Sequence, residues 1–367
     1  MSRQDPIRVA VVGTGFFGYH HLRVYRALEK ECNVLPVAAV DGNPITAKAI
    51  AAEYGIPTFT SIEDMLAANL GVQAASLCVP TLHHARLGQQ LLSAGIDLLV
   101  EKPIASSLEE ADALVAAAAA NCRILQVGHL ERFNVSVMAV VPHLHQPMFF
   151  EAHRLSIFGT RSLDVDVVLD LMIHDLDIVL DFVQSPVVEV RAVGLPVLSN
   201  KIDIANVRVE FANGCIANFT ASRVSTEKVR KLRFFQPRQY LSIDLARQEL
   251  MIINVAGAAA FSPAPAPGPA MGPTPGPAPA STPSAALAAA ELAAHPSAGL
   301  SILKVPVEPK EPLFLELASF IDSVRTRKAP VVTGEQARTV LALALDINRK
   351  IAEHSIHAGL DRFISEN

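Results

Sequence analysis

At 367 residues the chain has room for two ordinary domains, and a hydrophobic content of 50 % supplies a core for each. Charged residues make up 18 % and the formal net charge is -5, so no basic field attracts nucleic acid and no polybasic segment attracts an anionic lipid surface. The start passes from Met1 into the short apolar run Ile7 to Val12, which lacks the length and flanks of a signal peptide or membrane span, and a cytoplasmic protein is expected.

The first third alternates short apolar runs with helical patterns, as parallel strands joined by crossover helices do. The strands read as Ile7 to Val12, Val34 to Val40, Ala75 to Val79, Asp97 to Val100 and Ile124 to Val127. Asn43-Pro44 reads as an N-cap followed by a first-turn proline, Ser61 to Asp64 resembles a capping box, and Gly95 suits a helix end. This is a doubly wound α/β (Rossmann) domain over residues 1–128. Residues 129–367 read as an α+β domain for substrate binding and oligomerisation, with an open, mostly antiparallel sheet of five or six strands and helices on one face.

That second part opens with a strongly apolar helix from about Val165 to Val183. Strands Ala205 to Phe211 and Cys215 to Ser222 follow, joined by the turn Asn213-Gly214. Further strands read as Lys231 to Gln236, Tyr240 to Leu245 and Glu249 to Asn254. Phe234-Phe235 and Leu250 to Ile253 put apolar side chains on both sheet faces, which predicts a homodimer or homotetramer. Residues 257–300 hold ten of the 25 prolines and one charged residue, Glu291, and read as a disordered insertion. Chain order resumes near Ile302, with helices at Leu313 to Arg327 and Glu335 to Glu353. The cysteines Cys32, Cys78, Cys122 and Cys215 show neither zinc spacing nor a disulfide framework and read as reduced packing residues.

Gly13-Thr14-Gly15-Phe16-Phe17-Gly18 follows a strand and opens a helix. In that context the G-x-G-x-x-G spacing gives a tight turn, close backbone approach and a helix N-terminus for a pyrophosphate. Asp41, at the end of the second strand, is placed to bind the adenosine ribose and to repel a 2′-phosphate, so the expected cofactor is NAD. Val79-Pro80-Thr81-Leu82-His83 and Glu101-Lys102-Pro103 fall beyond the C-terminal ends of strands, where open parallel sheets bind ligands. Asp170 and His174, four apart on the apolar helix, share a face, so the carboxylate can orient the imidazole and the imidazole can take a hydroxyl proton. No histidine cluster has metal-ligand spacing, which disfavours a zinc alcohol-dehydrogenase mechanism. Arg132, Arg154 and Arg161 surround the inferred cleft, where guanidinium forks suit a sugar diphosphate.

The glycine loop, the Pro80-Thr81-x-x-His84 turn and Glu101-Lys102-Pro103, in this order, resemble the glucose-fructose oxidoreductase/inositol dehydrogenase (Gfo/Idh/MocA) family. The resemblance implies that Pro80, Thr81, His84, Glu101 and Lys102 join the loop residues Gly13, Gly15, Phe16, Phe17 and Gly18 at the cofactor. It implies that Lys102, Asp170 and His174 are catalytic, with Lys102 beside the nicotinamide and the substrate hydroxyl. Met172 stands where relatives often have glycine and suggests a more regular helix. The segments Gly128 to Asn134 and Phe158 to Arg161 look most like a nucleotide-sugar branch that includes UDP-N-acetylglucosamine 3-dehydrogenases. That likeness implies a UDP-sugar substrate bound by Lys102, Arg132, Asn134, Arg161 and His174, oxidation of its 3-hydroxyl to a ketone, and a downstream aminotransferase in amino-sugar or lipid A synthesis. Oxidation of a free polyol such as inositol and a nonenzymatic NAD-responsive sensor are the alternatives.

Overall fold

The computed structural model describes residues 5–159, 165–255, 293–294 and 300–360. The first sheet holds β1 (Ile7–Val12), β2 (Val34–Val40), β3 (Thr58–Phe59), β4 (Ala74–Leu77), β5 (Asp97–Glu101) and β6 (Leu125–Gly128), in the spatial order β3-β2-β1-β4-β5-β6. Every pairing is parallel. β4, β5 and β6 are buried at every position, which accounts for their unbroken apolar runs. Helices α1 (Phe16–Leu28), α2 (Pro44–Tyr54), α3 (Ile62–Ala67), α4 (His84–Ser93) and α5 (Leu108–Ala120) connect the strands. Asn43 accepts a hydrogen bond from the Ile45 amide and Ser61 from the Asp64 amide, the two caps read from the sequence. The order reverses between β1 and β4, and that switch point opens the crevice in which such sheets bind ligands.

The second sheet has nine strands where five or six were expected. They are β7 (Phe149–Ile157), β8 (Val187–Leu195), β9 (Ile204–Phe211), β10 (Ile216–Ser225), β11 (Val229–Gln236), β12 (Gln239–Asp244), β13 (Glu249–Val255), β14 (Ala293–Ala294) and β15 (Leu300–Val305), in the order β14-β15-β13-β12-β11-β7-β10-β9-β8. The β7–β10 pair is parallel and the others are antiparallel. Most of the Ala/Pro-rich insertion lies outside the described residues, but Ala293 and Ala294 pair with Ile302 and Ser301. That part of it does join a ladder. Of the cysteines, Cys215 is buried and Cys122 is exposed, so Cys122 is not a packing residue.

The apolar helix on this sheet is not regular. After the short helix α6 (Val135–Val140), a π-helical turn covers Val168–Met172 and α7 (Ile173–Val183) continues it, so Met172 does not straighten the segment. Asp166 starts it: its Oδ1 accepts from the Val168 and Leu169 amides at 2.9 and 3.0 Å, and its Oδ2 accepts from Asn348 at 3.0 Å. Wide turns of this kind concentrate at functional sites.

The chain then returns to the first sheet. Helix α8 (Pro312–Thr326) buries Leu313, Leu317, Phe320 and Ile321 in the same core as Val9, Val11, Leu22 and Tyr25. Helix α9 (Gly334–His357) begins against α5 and β6 and ends against α7 and β8. Helix α8 thus shares the core of the first sheet, although it lies in the second part of the chain.

Candidate active site

Two clefts meet at the C-terminal edge of the parallel sheet. One, of about 470 Å³, is lined by Gly13, Gly15, Asp41, Asn43, Ser61, Val79, Pro80, His83 and Arg86. The glycines fit a dinucleotide for three different reasons. Gly13 has φ +84°, and a Cβ there would lie 2.8 Å from the Cys78 backbone; a Cβ on Gly18 would lie 1.8 Å from the Gly13 carbonyl oxygen. Gly15 faces open space and starts α1 without a side-chain cap, so its neighbouring amides are left for a ligand. Asp41 is fixed: Oδ2 accepts from the Thr14 amide and hydroxyl at 2.9 Å each, and Oδ1 from the Asn43 amide at 2.9 Å. A carboxylate has room for further donors, so the ribose hydroxyls fit there.

The adjoining cleft, of about 450 Å³, is lined by Pro80, Thr81, Lys102 and Pro103 from the first domain and by Asp166, Leu169, Asp170 and Lys201 from the second. Lys102 Nζ donates to the Asp170 carbonyl oxygen at 2.9 Å and lies 3.5 Å from Asp170 Oδ1. Asp170 therefore holds the lysine, and the expected Asp170–His174 hydrogen bond is not among those of the described residues. His174 is buried, and its Nδ1 has no hydrogen-bond partner. Burial, reinforced by Lys102, Arg154, His129 and Arg230, pushes its pKa well below the ordinary imidazole value. His129, with both ring nitrogens unpartnered, is pushed down to about 3 by burial and by Lys102 and Arg132. Both rings are neutral at pH 7.

Other expected site residues are placed elsewhere. Glu101 is buried and its Oε1 lies 3.0 Å from His21 Nε2; it lines neither cleft. Cys78 Sγ, half-buried, completes a compact trio with them, all ligand-type atoms lying within 4.8 Å of one another. His84 is also buried, its ring nitrogens 2.9 Å from the Pro103 and Val79 carbonyl oxygens, so it ties the two clefts' walls together instead of facing the cofactor cleft. Arg132 is engaged by Asp177 and Asp181 at 3.4 and 2.7 Å and lines a different depression, beside Gln184 and Thr339. Arg154 is buried in a bidentate pair with Asp175 and a bond to Glu131. Asn134 is a buried cap that donates to Glu131 and to the Leu245 carbonyl. Phe16 and Phe17 are exposed at the start of α1. Arg161 lies outside the described residues. Sequence reasoning missed Arg86 and Lys201, cations that line the first and second cleft.

The oxidoreductase family model with an NAD-binding Rossmann fold matches residues 7–129, and the model of the Gfo/Idh/MocA C-terminal domain matches residues 135–238. The chain belongs to the Gfo/Idh/MocA family. This Gfo/Idh/MocA enzyme is an NAD-dependent dehydrogenase acting on a CH–OH group. It is similar to the UDP-N-acetylglucosamine 3-dehydrogenase of Acidithiobacillus ferrooxidans, with 32 % identity over 93 % of this chain and 96 % of the relative. A solved structure of that dehydrogenase superposes with a TM-score of 0.79 at 29 % identity, covering 95 % of this chain and 98 % of the other. An inositol 2-dehydrogenase of Rhizobium meliloti shares 27 % identity over 60 % of this chain and 70 % of its own length. Among the described residues no helix is long and apolar enough to cross a membrane.

Proposed function

We propose that the enzyme oxidises the 3-hydroxyl of UDP-N-acetylglucosamine to the 3-keto sugar. The observation that carries this reading is the similarity, over nearly the full length of both chains, to a dehydrogenase of that name. NAD, when bound, would supply the hydride acceptor for the carbinol carbon. Gly13, Gly15 and Gly18 shape the turn that holds it, and Asp41 selects the unphosphorylated ribose. Lys102 lines the second cleft beside Pro80 and Thr81, so its ammonium stabilises negative charge on the reacting oxygen. Asp170 fixes that ammonium through its carbonyl and carboxylate. His174, neutral in its buried setting, is the base that takes the hydroxyl proton.

A 3-keto sugar is a substrate for an aminotransferase, which places the reaction in cytoplasmic amino-sugar synthesis, including that of lipid A precursors. The chain is a homodimer or homotetramer associating through the second sheet. The second reading, a free polyol substrate, is favoured by the likeness to inositol 2-dehydrogenase and by the commitment of Arg132 and Arg154 to internal ion pairs. NADH formation with UDP-N-acetylglucosamine, other UDP-sugars and myo-inositol tests the two. Turnover with UDP-N-acetylglucosamine, inhibited competitively by UDP, is expected. Turnover with inositol alone would overturn the first reading.

A further inference from the structure

Arg132 and Arg154, expected to meet a sugar diphosphate, are occupied, yet another arginine bears on the helix that carries His174. Arg230 is the second residue of β11, on the same sheet face as Leu232 and Phe234. Phe234 packs against Phe182 of α7, so that face looks toward the helix carrying His174. In the ladder Arg230 lies directly opposite Arg154. Two cations so placed repel unless both are neutralised. Arg154 is satisfied by Asp175, the neighbour of His174, and by Glu131. Arg230 is not. Its nearest carboxylate oxygen, on Glu131, is 3.9 Å away and already accepts from Arg154 at 3.0 Å. The other Glu131 oxygen accepts from Asn134. Among the described residues no hydrogen bond engages the Arg230 guanidinium, and its side chain is 47 % exposed.

A second observation concerns His174, on which both Arg230 and His129 act electrostatically. His129 Nδ1 and Nε2 and His174 Nδ1 are buried without hydrogen-bond partners. Buried polar atoms are rarely left so unless a bound molecule or water meets them. A planar fork of donors that no hydrogen bond engages is the arrangement that receives a phosphate bidentately.

We propose that Arg230 binds the diphosphate of the substrate and thereby seats the sugar ring against His174 and Lys102. This rests on the nucleotide-sugar reading above and names the residue that enforces it. Charge-assisted hydrogen bonds contribute roughly 1.5–3 kcal/mol, so losing them weakens UDP binding by about 10- to 100-fold.

The test is calorimetric titration of UDP into the NADH-loaded wild type, Arg230→Gln and Arg230→Lys, with NAD affinity measured alongside. The glutamine variant should lose at least tenfold in UDP affinity and keep NAD affinity within about twofold; the lysine variant should recover part of the loss. In the pH profile of kcat/KM with the UDP-sugar, Arg230→Gln should also move the acid limb upward, because a cation bearing on His174 is gone. Unchanged UDP affinity in Arg230→Gln, with the wild type oxidising a UDP-sugar, would overturn the role of Arg230 and leave the proposed function standing. A wild type that neither binds UDP nor oxidises any UDP-sugar overturns both.

Discussion

Lys102 and His174 divide the chemistry, and their surroundings say how. Because His174 is held neutral well below the usual imidazole pKa, the active, unprotonated form persists as pH falls. The acid limb of kcat/KM should therefore lie below pH ~6.5, the reference value for histidine; a limb at or above it would contradict the buried setting. Lys102→Ala and His174→Ala should each lower turnover by about 10² to 10⁴ while NAD affinity, measured by fluorescence titration, stays within a few-fold. Asp41 is anchored by three donors from the glycine loop and the next helix. Asp41→Ala should narrow the preference for NAD over NADP, and a native enzyme that binds both equally would refute its role.

At the scale of elements, the glycine loop offers a clean separation of folding from binding. Gly15→Ala meets no atom within 4 Å, so the melting temperature should hold while NAD affinity falls; Gly18→Ala drives a methyl into the Gly13 carbonyl and should lower both. These elements were legible because strand, turn and helix signals coincide within a few residues. The places of Asp41 and Lys102 at the clefts were legible for the same reason, each following an apolar strand. The internal partners of Arg132, Arg154 and Asn134 were not legible, because a cation or amide near a cleft looks the same in sequence whether or not a buried acid claims it. Asp177, Asp181, Asp175 and Glu131 claim them, and the Leu245 carbonyl, 111 residues along the chain, accepts from Asn134. The π-helical turn was invisible for a different reason: its apolar pattern is that of an ordinary helix, and Asp166, which sets its start, bonds to Asn348 far along the chain.

Across the whole molecule, the second sheet leaves an aromatic face outward. Phe149, Phe235 and Tyr240 cluster there with ring centroids 5.7 and 4.9 Å apart, and Phe235 is 39 % exposed. Such a patch on a large sheet suits a symmetric partner. Light scattering should give a dimer or tetramer mass, and Phe235→Arg should lower it; a monomeric native protein would end the idea. Replacing residues 260–290 by a short Gly/Ser linker, with Ala293 and Ala294 retained, should leave both mass and activity unchanged.

The return of α8 to the first core has a consequence for how the molecule is born. Residues 1–128 contain every strand of the parallel sheet, but the surface formed by Leu22, Tyr25 and their neighbours is closed by Leu317, Phe320 and Ile321. Those side chains leave the ribosome nearly two hundred residues later than the sheet they cover. The dinucleotide-binding half thus waits, with an oily flank open, until almost the entire chain has been synthesised. A truncated version ending near residue 134 should precipitate or be taken up by chaperones, and supplying residues 306–360 as a separate polypeptide should rescue its solubility.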